Sequence, residues 1–409
     1  MSETRFPTAC LLIVLAAPAA AQQVVRLPAR DMVLTGEPIV VYRVGAADGR
    51  SWETFGRIVD VAFDDSDNAY VLDAQSRRIV VFDARGAFVR EFGARGNGPG
   101  ELGRPAAIEI LRDGSLALLD LSDRGINLYR TTGEFVRLVA LNDDAFNRPA
   151  DIRADPRGGL FARTHPRPVL RARSDEPEPR RSILYRFPLD GAPPLDVHEY
   201  PLPQAIVGRN DPLDRTRYTV LLDATPIFSA TPSWDVLPDG GIVVHYEDAY
   251  VIRVLDTNGR HVRTITRPFE PRRVTEADRN AELERQRTGG PNAAAATATI
   301  SGTTSGMRIG TGQPLPFRIP ALPFADVMSV VTRIATDPLG HIRVQRRNAD
   351  GTPRGPIDLI DAAGRYIGTL PAGQHLPMAV SASGLAAYVE FDELDVPYLV
   401  VRRLPVAWR

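Results

Sequence analysis

Six histidines, at 165, 198, 245, 261, 341 and 375, are the residues most able to hold a metal or move a proton, and their spacing argues against a compact motif. No H-x-x-x-H or HExxH pair places two imidazoles one helical turn apart, and no G-x-S-x-G, P-loop or dinucleotide-binding glycine pattern follows a strand. His165 and His245 each end a short apolar run, with Glu247 and Asp248 beside the second, so a metal site there would have to be assembled from separated segments. A second set has a clearer pattern. Asp60, Glu109, Asp151, Arg153, Asp235 and Arg333 alternate along similar apolar runs with Val61, Ile108, Ile152, Trp234 and Ile334. In extended chain this puts the apolar residues on one side and the charged ones on the other. If those runs converge, the charged set can bind a cation or a polar ligand, or form a solvated ring of ion pairs.

The runs must then be placed by the elements around them. Between Ile58 and Pro105, four apolar runs (59–63, 69–72, 79–82 and 88–92) are separated by Asp, Asn, Ser, Arg and Gly clusters, the pattern of a four-stranded antiparallel meander. The pattern recurs, with 47 residues from Asp73 to Asp120, a period suited to propeller blades. Six units are expected, at about 58–102, 103–148, 149–203, 230–267, 325–373 and 374–409. The sixth lacks a fourth strand, and residues 38–44 form a spare one near the start. A sheet ring left open would expose unpaired backbone, so the spare strand is expected to complete the last unit. Asp73 and Asp120 end equivalent strands, which points to a recurring structural hydrogen bond at the following turn.

The motif Gly96-x-Gly98-Pro99-Gly100-Glu101-Leu102 with Arg104-Pro105, together with the D-G turns and the strands ending in Asp73 or Asp120, resembles the NHL repeat of secreted bacterial six-bladed β-propellers. The resemblance implies an all-β six-bladed propeller with loop-bearing and turn-bearing faces. Long insertions at 165–181, 201–232 and 267–324 fall on the loop-bearing face, which is expected to carry whatever the protein binds. Within the last, broadly 268–323, Thr275-Glu276-Ala277-Asp278 starts a short helix over 281–287, followed by a Thr/Ala/Gly/Ser tract expected to be mobile. His261 and His341 follow turn glycines on the other face and are expected at the surface.

Composition narrows the partners. A formal net charge of −1 gives no electrostatic reason to expect nucleic acid, and 35 prolines with 33 glycines suit many short strands and turns. All basic side chains are arginine, a compositional bias. Residues 1–21 read as a signal peptide: Arg5, an apolar run from Leu11 to Ala17 too short to span a bilayer, and small residues before Gln22. The single cysteine, Cys10, would leave with it, so the mature chain is expected to be exported, periplasmic or extracellular, and free of thiols. No transmembrane segment is expected, and a monomer is.

The expected function is that of a ligand- or protein-binding module acting through the insertion-bearing face and the central channel, with Asp60, Glu109, Asp151, Arg153, Asp235, Arg333, His165 and His245 as its candidate residues and no required cofactor. The alternative implied by the resemblance is a divalent-metal-dependent hydrolase or lyase, with Asp60, Glu109, Asp235 and His245 around a cation at the channel mouth.

Overall fold

A computed structural model of the chain describes residues 22–96, 98–123, 125–140, 149–164, 181–202, 226–288 and 323–409. Residues 1–21, expected to be a signal peptide, His165, the Thr/Ala/Gly/Ser tract and most of the 201–232 connection lie outside them. The described residues form a six-bladed β-propeller. Each blade is an antiparallel meander: blade 1 comprises Ile58–Phe63, Ala69–Asp73, Arg78–Phe82 and Phe88–Phe92, hydrogen-bonded in that order. The first strands of blades 2 to 6 are Pro105–Ile110, Pro149–Ala154, Ser233–Val236, Val331–Thr336 and Ala379–Val380.

Packing between blades explains why the second strands are apolar on both sides. Alternate residues of one strand face different neighbours. Val71 and Val80 of blade 1 pack with Leu385 and Val401 of blade 6, whereas Tyr70 and Leu72 pack with Leu116 and Leu118 of blade 2. Further clusters join blades 2 and 3, 3 and 4, 4 and 5, and 5 and 6, so the core is a ring of interfaces.

Closure is made by Ile39–Val44, which pairs antiparallel with Pro397–Arg403 and becomes the outer strand of blade 6. The residues before it do something the sequence reading did not anticipate. Gln23–Arg26 pairs parallel with His261–Thr266 as a fifth strand on blade 4, and Val33 bridges Thr369 on the outer strand of blade 5. The N-terminal segment is thus a strap across three consecutive blades. Asp31 fastens it, bonding Arg267 and Arg346 at 2.7 Å each, while Asp358 pairs with the same two arginines at 2.7 and 3.2 Å. At the other terminus, Trp408 is fully buried, its indole N–H donates to Thr35 O, and its carbonyl accepts from Arg343.

The recurring aspartates are structural in a wider sense than expected. Asp73 accepts from the Gly56 and Arg57 amides as well as from Ser76, and Asp120 from Gly103, Arg104 and Ser122. Each fixes the segment entering its blade to the end of the second strand. The insertion begins and ends in a two-stranded ribbon, Arg272–Arg273 with Val327–Met328. Its helix runs Glu276–Thr288, earlier than expected, because Thr275 and Asp278 cap each other reciprocally. It is the one α-helix among the described residues, and no described helix is long and apolar enough to cross a membrane.

Candidate functional site: the central channel

Each first strand has a partner on one side only, and the first strands of successive blades lie against one another, so their free edges face the propeller axis. The charged residues of these strands fall into two tiers set by distance from the turn that ends the strand. Asp60, Asp151 and Arg333 lie four residues before their turns, and Glu109, Arg153 and Asp235 lie two before. Five blades therefore contribute to one charged lining. The bare edge N–H groups explain much of the acid placement, since an unpaired buried amide costs free energy comparable to a lost hydrogen bond. Asp60 accepts from Val61 N and, across the blade boundary, from Ile108 N, both at 2.9 Å. Asp235 repeats this with Val236 N at 2.9 Å and Thr336 N at 2.7 Å. Glu109 accepts from the Ala154 amide of blade 3.

Arg153 is the hub. Its Nε donates to Asp235 at 3.0 Å, its Nη1 to Ile152 O at 2.7 Å, and the same Nη1 stands 3.6 Å from Glu109. Residues from blades 2, 3 and 4 thus meet around one guanidinium, whose side chain remains 30% exposed. Asp151 is held from two sides, by Arg163 at 2.8 Å and by the Trp234 indole N–H at 3.1 Å. Arg333 of blade 5 keeps solvent contact although the channel walls partly desolvate it, and its side chain makes no hydrogen bond or ion pair among the described residues.

The electrostatics follow from depth in the channel. Burial pushes the Glu109 carboxyl up to about 8, against the pull of Arg153 and with help from Asp60 and Asp235. Asp60 is also raised by burial, with Arg153 and the two amides opposing. Burial works against the Arg153 charge, yet Asp235, Glu109, Asp151 and Asp60 outweigh it and hold the proton more tightly than usual. Arg333 is shifted the other way, by burial and then by repulsion from Arg153, despite the acids across the channel. At neutral pH the site combines a protonated carboxyl able to donate, committed carboxylates, and a guanidinium with unused donors.

The channel does not gather the set expected for a divalent cation. Among the described residues no three His, Cys, Asp or Glu side chains converge as metal ligands. Asp60 and Asp235 use both oxygens on N–H donors, and Arg153 occupies the cation's place between Glu109 and Asp235. His245 is 1% exposed, with Nδ1 on Val251 O at 2.9 Å, and burial lowers its pKa. Its acidic neighbours are engaged elsewhere, Glu247 by Arg253 and Asp248 by the Ala230 amide.

His341 corrects another expectation: it is buried rather than superficial, because its ring turns back to Asp337 at 3.2 Å, beside Arg343. His261 is likewise half-buried and bonded to Arg263 O and Thr264. Arg163 and Trp234 were not expected as polar participants. Arg163 faces Asp151 directly across the strand pair, so an arginine following the apolar run Leu160-Phe161-Ala162 was the available signal.

The arrangement defines a six-bladed β-propeller with a polar channel. Consistent with that class, residues 53–159 match a family described as a 6-bladed β-propeller, DUF5128. Among solved structures, a member of the DUF4221 family from Bacteroides vulgatus is 11% identical with a TM-score of 0.51, over 90% of this chain and 97% of that one. A gluconolactonase from Xanthomonas campestris is 12% identical with a TM-score of 0.42, over 90% and 89% of the two chains. At these identities the likeness concerns the fold alone. No curated protein sequence matches the chain.

Proposed function

We propose that the chain is an exported, NHL-like propeller that acts as a binding module, taking a polar ligand or a partner's polar segment through its insertion-bearing face into the central channel. The observation that carries this reading is the meeting of Glu109, Arg153 and Asp235, from three blades, around a guanidinium still open to the lumen. Charged groups brought together from separate blades, with one carboxyl held protonated near neutral pH, can offer both donors and acceptors to a ligand from fixed strands. No metal or organic cofactor is part of the proposal.

The test is ligand-induced stabilisation of the purified mature chain against neutral sugars, amino acids, dicarboxylates and inorganic phosphate. A compound present at 100 times its Kd stabilises the folded state by about 2.7 kcal/mol, a clear rise in melting temperature. The expected result is stabilisation by at least one class, abolished in Arg153→Gln. Stabilisation of equal size in wild type and Arg153→Gln by every active compound would move binding away from the channel.

A further inference from the structure

Three of the four channel acids follow a rule of placement. Asp60, Glu109 and Asp235 each reach an amide one register position further along on the next blade, at Ile108, Ala154 and Thr336. Blade 5 breaks that rule. In the register that Asp60 and Asp151 occupy on blades 1 and 3, it carries Arg333, which has no lone pair to offer a neighbouring amide. Of the neighbouring channel-tier residues, Ala335, Pro377 and Ala379 bring no charge or hydrogen-bonding side chain to meet it, and the Ser233 hydroxyl is taken up by the Ile334 backbone.

Nor do the acids across the axis satisfy Arg333, because each is already committed. Asp60 holds two amides; Asp151 holds Arg163 and the Trp234 indole; Asp235 holds two amides and Arg153. Arg333 is consequently a cation whose donors all remain unused, partly desolvated by the channel walls and repelled by a second guanidinium, Arg153, against the attraction of Asp235, Asp60 and Asp151. Such a charge gains little from the folded protein and is best satisfied by something that enters the lumen.

We propose that Arg333 anchors an oxyanion site in the central channel, and that the ligand carries a carboxylate or phosphate group which binds its guanidinium. This rests on the reading of the channel as a binding site and names the charge of what it binds. The planar guanidinium suits two-point contact with either oxyanion.

The experiment is isothermal titration of the full mature chain with succinate and, separately, with inorganic phosphate, in wild type, Arg333→Gln and Arg333→Lys. Neither variant breaks a hydrogen bond or ion pair, so both should keep the wild-type melting temperature, which is checked first. The proposal expects a Kd of about 1 mM or tighter for at least one probe, about tenfold weaker in Arg333→Gln and intermediate in Arg333→Lys. Succinate binding alone identifies a carboxylate ligand, and phosphate binding alone a phosphorylated one. Absence of binding by both probes, or equal binding by Arg333→Gln, overturns the proposal. If neutral sugars or amino acids still stabilise the chain and lose that effect in Arg153→Gln but not in Arg333→Gln, the channel remains a binding site and only the anion assignment fails.

Discussion

Glu109 shows how a single side chain can be both a joint and a sensor. It stitches blade 2 to blade 3 through the Ala154 amide, yet its pKa of about 8 stands well above the ordinary 4.5. The folded chain therefore keeps a proton that the unfolded chain releases. The resulting stabilisation is complete below about pH 4.5 and is lost as pH rises through 8. Glu109→Gln, which cannot ionise, should flatten the fall in unfolding free energy across that window, leaving the part due to Asp60. Denaturant titrations at several pH values check this, and an unchanged slope in the variant contradicts it. At this scale the sequence was informative about which residues line the channel, since two-residue alternation fixes sides. It could not show that Asp60 and Asp235 spend their oxygens on a neighbour's amides, because that depends on how close adjacent first strands lie.

The strap is the element whose energetics differ most from the repeat's. Blades are held by broad apolar interfaces, whereas residues 22–36 lie across the rim with Val24, Met32 and Val33 exposed and only Leu27, with Val25 and Leu34 beside the blade clusters, as apolar anchors. They are held by edge pairing and by the Asp31–Arg267–Arg346–Asp358 group, in which Arg267 and Asp358 are fully buried and carry balanced charge. Burial raises the Asp31 pKa, but Arg346 and Arg267 more than offset this and leave it below 3.8. Its contribution is thus present above that value and lost as pH falls through the folded pKa. Asp31→Ala should cost about 1–2 kcal/mol in denaturant unfolding near neutral pH, below the ~3–5 kcal/mol of a fully buried pair, because Asp31 is itself 34% exposed and Asp358 still neutralises one arginine. A change within experimental error would show that edge pairing alone secures the strap. Gln23-Val24-Val25-Arg26 was not legible as a strand: four residues, mostly exposed, carry too little alternation, and the parallel partner lies over 230 residues away. The spare strand at 39–44 was legible only because the last repeat was one strand short.

The described residues form a ring of six interfaces with residues 22–44 and the C-terminal segment built into its rim, so its axis is a rigid place to present charge. Repetition made the ring readable from sequence, since period and turns survive where individual residues do not. Repetition was a weaker guide to the channel. Its chemistry lies in departures from the repeat, above all Arg153 and Arg333 where other blades carry acids or small residues. The most direct test of where ligand binds is amide hydrogen exchange with and without whichever compound stabilises the chain. Slower exchange in the first strands, 58–63, 105–110, 149–154, 233–236 and 331–336, is the predicted result. Protection confined to residues outside those strands, such as the helix Glu276–Thr288, would contradict it.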